Sequence, residues 1–159
     1  MSPVLGIDPG LASTGYAVLG DDSHVVVCGT IKTDPGWAPG ARLIAIADAV
    51  ERIASEHGLR EAALEELFMG QNRTSFLGVA QARGVILATL ERAAVTVSEY
   101  KPSLVKSVVT GYGAADKKQI ARMLGAQVKL AEPADDHALD AVAIALCHLR
   151  SRRLRAVAR

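Results

Sequence analysis

Aromatic side chains are scarce here. Six occur in 159 residues, so few rings are on hand to stack on a ligand, and Phe68 is one of them. Cysteine is scarcer still, with two residues. Cys28 closes Val25-Val26-Val27-Cys28 and Cys147 lies late in an apolar segment; both read as small buried hydrophobes, which excludes a disulfide framework or a thiolate metal site. No apolar run reaches the length of a membrane span, and no basic-then-apolar segment opens the chain. A cytoplasmic protein with no membrane partner is expected. Neither an internal repeat nor a linker divides the sequence, so one domain with a real core is expected. Net charge is also nearly absent, at +1, and does not by itself point to nucleic acid.

The distribution of charge says more than its sum. Residues 1–66 carry ten acids and four bases, whereas residues 67–159 carry seven acids and fourteen bases. A basic face beside an acidic centre would produce that asymmetry. Three acids stand where an unpaired charge is costly. Asp8 ends the run Val4-Leu5-Gly6-Ile7. Glu65 follows Ala62-Ala63-Leu64. Asp140 interrupts Ala138-Leu139-Asp140-Ala141-Val142-Ala143-Ile144. Acids far apart in sequence at the edges of apolar segments imply one acidic site assembled by the fold. Hard oxygen ligands suit Mg²⁺ or Mn²⁺ and phosphodiester hydrolysis.

Patterning predicts strands at residues 3–8, Thr14 to Leu19 and Ser23 to Ile31, the last two joined by the turn Gly20-Asp21-Asp22. A helix follows, with Leu43, Ile46, Ala47, Val50, Ile53 and Ala54 on one stripe and Gly58 as its stop. Further strands are predicted at Ala62 to Leu67 and Val95 to Tyr100, and helices at Thr74 to Ala94 and Pro102 to Thr110. Asp116-Lys117-Lys118-Gln119 reads as a capping box opening a helix that ends at Gly125. Pro133 with Asp135 or Asp136 opens the final helix. A hairpin section followed by strand–helix crossovers predicts an α/β fold, a mixed sheet with helices on both faces.

Gly6-Ile7-Asp8-Pro9-Gly10 with Ser13-Thr14-Gly15 looks like the phosphate loop of actin-like ATPases and sugar kinases, but those need a duplicated body that 159 residues do not supply. The same segment, followed by TGYAV, resembles the first strand and hairpin of the RuvC family of bacterial Holliday junction resolvases. LEELFMGQN resembles that family's central strand and loop, AQARG its long helix, VKSVVTGYGAADKKQI its basic segment, and DHALDAVAIALCH its last helix. The likeness runs from about residue 3 to about residue 149, with the motifs in family order. It implies an RNase H-like fold with a five-stranded sheet, a nuclease domain over residues 1–150 and a basic tail over 151–159. It further implies a homodimer acting on four-way junction DNA, cutting two strands of like polarity with divalent ions in recombination and repair. RuvA and RuvB are partners implied by the family alone. The rivals are another RNase H-like nuclease and a junction-binding module without catalysis.

Residue by residue, the resemblance places Asp8, Glu65 and Asp140 at the family's metal-binding acids; of the Glu pair, Glu66 falls where members vary. Most members carry Asp three residues before the last acid, where this chain has His137. Periodicity alone leaves Asp136 and His137 open, since either shares a helix face with Asp140. The family position favours His137, and Asp136 is placed to serve as a cap or first-turn acid. Imidazole shifts a site from Mg²⁺ toward Mn²⁺. Two ions about 4 Å apart, with Asp8 between them, would activate water and steady the leaving 3′-oxygen, giving 5′-phosphate products.

Lys117 and Lys118 sit at a helix start after Gly111 and Gly113, a combination suited to phosphate. The resemblance places Lys106 and Lys117 near the active site or DNA. Arg73 and Arg83 are further candidates for phosphate contacts, and Phe68 for stacking on or wedging bases. Leu77, Ala80, Gly84, Leu87 and Ala88 form a small-residue stripe fit for packing on the sheet or across a two-fold axis. His24, His57 and His148 lack acidic neighbours and read as structural or surface residues. The Arg150–Arg155 run reads as a solvated, frayed helix end.

Overall fold

The computed structural model of the protein describes residues 2–67, 73–130 and 133–157. Its strands are β1 (Val4–Asp8), β2 (Ser13–Leu19), β3 (Val25–Lys32), β4 (Glu61–Glu65) and β5 (Thr96–Tyr100). Its helices are α1 (Pro39–Glu56), α2 (Arg73–Arg92), α3 (Pro102–Thr110), α4 (Lys117–Gln127) and α5 (Asp136–Val157). The sheet order is β3-β2-β1-β4-β5. β1, β2 and β3 pair antiparallel, while β4 runs parallel to both β1 and β5. Parallel neighbours require crossovers, and α1 and α2 supply them.

Strand alternation divides the core in two. Leu5, Ile7, Val18, Ala62 and Leu64 pack against Ile46, Val50 and Ile53 of α1 and Ala82, Ile86 and Leu90 of α2. Val4, Ala17, Leu19, Ala63 and Tyr100 face the other way, onto α3, α4 and α5. Because side chains alternate, Asp8 continues the face of Val4 and Gly6, and Glu65 continues the face of Ala63. Both acids therefore emerge at the C-terminal ends of neighbouring parallel strands, on the side covered by α5.

Several boundaries and contacts differ from expectation. β3 starts at Val25, because Ser23 has φ 67° in a turn whose Ser23 N–H donates to Gly20 O at 2.9 Å. α5 does not fray at Arg150 but runs to Val157. Arg150 donates to Val108 O at 2.6 Å, and Arg152 pairs with Asp21 and with Glu61 at 3.1 Å. Only the outer part of the run, including Arg153 and Arg155, is exposed. His148 has an acidic partner after all: its Nε2 lies 2.7 Å from Glu61 and its Nδ1 2.9 Å from the Tyr100 hydroxyl. His24 pairs with Asp22. Glu61 lies 87 residues from His148 in sequence, whereas Asp22 is two residues from His24 and was overlooked in the turn. Among the described residues no helix is long and apolar enough to cross a membrane. Cys147 is buried, Cys28 half-buried, and both are free thiols.

Candidate active site

Two glycines let the last helix lie against the sheet. A Cβ on Gly6 would stand 2.1 Å from Ala141 O, and one on Gly15 would stand 1.9 Å from His137 O. Those are overlaps with backbone, so only glycine admits α5 at this depth. α5 starts above β2 under a fixed cap: Asp135 accepts from the Ala138 N–H at 2.9 Å and from the Thr30 hydroxyl at 2.6 Å. The cap is thus Asp135, and Asp136 is an exposed first-turn residue. Below, the Thr14 hydroxyl donates to Gly10 O at 2.6 Å and pins the turn that follows Asp8.

This seating brings four of the predicted residues together. His137 Nδ1 stands 3.3 Å from Asp8 Oδ2. Burial pushes the Asp8 carboxyl above its ordinary value; the His137 contact opposes this and the Asp140 charge adds to it. Glu65 is pushed up to about 7, first by burial and then by the charges of Asp8 and Asp140, with Lys106 pulling the other way. Asp140 is raised by burial, against the opposing pull of Lys117 and His137, and Asp136 adds to the rise. Three half-buried carboxylates, each raised first by burial and Asp8 and Glu65 also by neighbouring acids of the set, form a site short of positive charge.

The basic residues divide. Lys117 Nζ lies 3.7 Å from Asp140 Oδ2, so the start of α4 faces the acids. The capping box there is complete, with Gln119 N–H donating to Asp116 at 2.8 Å and Asp116 N–H to the Gln119 side chain at 2.9 Å. Lys118 is exposed and Lys106 half-buried. Arg83 is buried, 8% exposed, which corrects its reading as a phosphate contact. Its partners are Glu65 O and Glu99 instead. Phe68 and the side chain of Arg73 lie outside the described residues. On α2 the small-residue stripe does not pack on its own sheet: Leu77, Gly84 and Ala88 are exposed, and Ala82, Ile86 and Leu90 make the sheet contact.

The donor set fits a hard divalent ion in chemistry. Carboxylates whose protons are held by burial and mutual repulsion gain most from an added cation. Among the described residues, no three His, Cys, Asp or Glu side chains stand close enough to hold one ion unaided. Mg²⁺ commonly takes one or two carboxylates and completes its shell with water and substrate phosphate, so the set suits ions that arrive with substrate.

The model of the family "Crossover junction endodeoxyribonuclease RuvC" matches residues 4–148. The chain belongs to the RuvC family. The RuvC crossover junction endodeoxyribonuclease of Roseiflexus sp. (strain RS-1) is 41% identical over 148 residues, 91% of this chain and 88% of that protein. The one from Syntrophomonas wolfei is 41% identical over 155 residues, 95% of this chain and 90% of that protein. A structure of T. thermophilus RuvC in complex with Holliday junction substrate is 30% identical and superposes with a TM-score of 0.89, covering 98% of this chain and 97% of that one. The mixed sheet with helices on both faces is the RNase H-like fold expected for a RuvC chain.

Of the residues that hold the site, Asp135 was one of two openers the sequence offered for the last helix, and it is the cap. Sequence reasoning missed Gly6 and Gly15, which set the depth of α5. The available signal was small against small: Gly6 on β1 meets Ala141 and Ala145 on α5.

Proposed function

We propose that this RuvC-family chain is an endonuclease that resolves Holliday junctions by paired nicks in strands of like polarity, dependent on Mg²⁺ or Mn²⁺. The observation that carries the reading is the convergence of Asp8 from β1, Glu65 from β4 and Asp140 from α5, each carboxyl raised by the others or by burial. Asp8, Glu65, His137 and Asp140 are the residues that would hold the ions. Bound ions would supply activation of water and neutralisation of the leaving oxygen's charge. Asp8 and Glu65 lie one residue beyond the last β1–β4 pair, Ile7 with Leu64, at the ends of neighbouring strands. Lys117 balances Asp140 and stands ready for a substrate phosphate, with Lys106 and Lys118 beside it and Arg73 at the start of α2. Phe68, just beyond Glu65 in sequence, is proposed to meet bases near the cut.

Two symmetric nicks call for two copies of the site, and the exposed stripe on α2 supports a two-fold homodimer through that helix. Residues 1–150 are read as the nuclease domain and 151–159 as its basic tail. RuvA and RuvB are proposed as partners, and the cytoplasm as the location, on the strength of the family resemblance. The test is nicking of a synthetic four-way junction in Mg²⁺, Mn²⁺ or EDTA, with Asp8→Asn as control and RNA–DNA hybrid as competitor. Metal-dependent cutting of the junction, lost in Asp8→Asn, supports the reading. Preference for hybrid supports another RNase H-like nuclease, and tight binding without cutting supports a binding module.

A further inference from the structure

Arg83 is a buried cation on the face of the sheet opposite the acidic centre. Its side chain projects from α2, 10% exposed, into the layer between that helix and the sheet. Nη1 donates to the backbone oxygen of Glu65 at 2.7 Å. Nη2 lies 2.5 Å from Glu99 Oε1 on β5. The pairing of β1 with β4 stops at Ile7 and Leu64, one residue before Glu65. Beyond that point β4 is held by β5, through Glu66 N–H donating to Tyr100 O at 2.8 Å, and by the guanidinium. Glu65 is also the last residue of β4, so its height rests on the pairing with β5 and on the guanidinium and not on β1.

We propose that Arg83 is the positioning residue of Glu65, clamping the end of β4 from behind the sheet so that the Glu65 carboxylate reaches the acidic centre. The proposal rests on the nuclease reading of that centre. The guanidinium acts through the backbone: the cation that faces the Glu65 carboxylate is Lys106, not Arg83. A planar fork suits the task, since one guanidinium can hold a carbonyl and a carboxylate at once with fixed geometry. Lysine at 83 would keep the charge and lose the fork. Glu99, on the partly exposed rim of that layer, aims the guanidinium and offsets its charge.

The experiment compares wild type, Arg83→Lys, Arg83→Met and Glu99→Gln by four readouts. These are junction affinity and its salt slope in EDTA, melting temperature, Mn²⁺ binding to the junction complex by electron paramagnetic resonance, and the Mn²⁺ concentration for half-maximal nicking. Groups that orient a metal ligand typically change metal affinity by about 10–100-fold when altered. The expected result is a half-maximal Mn²⁺ concentration raised about tenfold or more in Arg83→Met, less in Arg83→Lys and Glu99→Gln, with weaker Mn²⁺ binding in parallel. Junction affinity and salt slope in EDTA stay at wild-type values. A flattened salt slope would make Arg83 a phosphate contact and overturn the proposal. So would a lowered melting temperature with an unshifted metal curve per folded molecule, which is a purely structural role. Should Arg83→Met fail to fold, Glu99→Gln decides alone, since Glu99 is partly exposed and its loss is tolerable. If wild type itself fails to nick, the nuclease reading falls instead of this one.

Discussion

At the scale of single residues, the acidic centre trades stability for chemistry. The Glu65 carboxyl ordinarily titrates near 4.5 and is raised to about 7 in the fold. Between those values the folded state keeps a proton that the unfolded state has lost, so stability falls as pH rises through that window and the cost is complete above it. Glutamine is neutral throughout. In EDTA, Glu65→Gln is therefore expected to match wild type in melting temperature near pH 4.5 and exceed it at pH 8; a gap that does not change with pH would refute the raising of the Glu65 carboxyl by burial and its acidic neighbours. Mg²⁺ or Mn²⁺ should raise the wild-type melting temperature at pH 8 and leave the variant nearly unmoved. The fourth ligand is tested on the same helix. His137 touches Asp8, whereas Asp136 is exposed and the cap is Asp135. His137→Ala should lose most cleavage and His137→Asp should keep it with a preference moved toward Mg²⁺. Asp136→Ala should change little, and Asp135→Ala should cost about 1 kcal/mol of stability, read by urea denaturation. Full cleavage in His137→Ala with loss in Asp136→Ala would reverse the order.

At the scale of elements, α5 decides whether the acids meet. Gly15→Ala places a methyl on the His137 carbonyl. Overpacking of this kind costs about 1–3 kcal/mol, and the relief available is to lift the start of α5. The expected outcome is a modest loss of melting temperature with a large loss of cleavage. A variant destabilised by that amount yet cutting at the wild-type rate per folded molecule would show that the seat does not position the site. How much of this was legible beforehand follows from the kind of signal each feature leaves. Asp8, Glu65 and Asp140 stood out because a charge in an apolar run is costly wherever the run folds. The strand and helix sequence was legible because periods of two and 3.6 are local. The seating of α5 was not, because it is a contact between two glycines and one helix far along the chain. Arg83 was misread for the same reason. Its sequence neighbours are small or apolar, and only the fold supplies Glu99 and the Glu65 carbonyl. His148 found Glu61 by the same long-range pairing, 87 residues away.

At the scale of the whole molecule, the acidic first part and basic second part of the chain meet at the acidic centre, where Lys117 acts on Asp8 and Lys106 on Glu65. Phosphate contacts set overall grip and its salt dependence, while the acids set chemistry. Lys117→Ala should weaken junction binding for every sequence and flatten the log–log salt slope by about 0.9 if it neutralises one duplex phosphate. An unchanged slope would leave Lys117 as a partner of Asp140 alone. The central claim is that Asp8, Glu65 and Asp140 form one cutting centre that a two-fold dimer applies twice to a junction. The most direct measurement maps the cuts in a symmetric four-way junction, with each strand labelled in turn, and then treats the products with DNA ligase. The account predicts nicks at matching positions in two strands of like polarity, sealed by ligase because they carry 5′-phosphates, and none with Asp8→Asn, Glu65→Gln or Asp140→Asn although each still binds the junction. Cuts scattered over strands of both polarities, or nicking that survives any of the three substitutions, would contradict it.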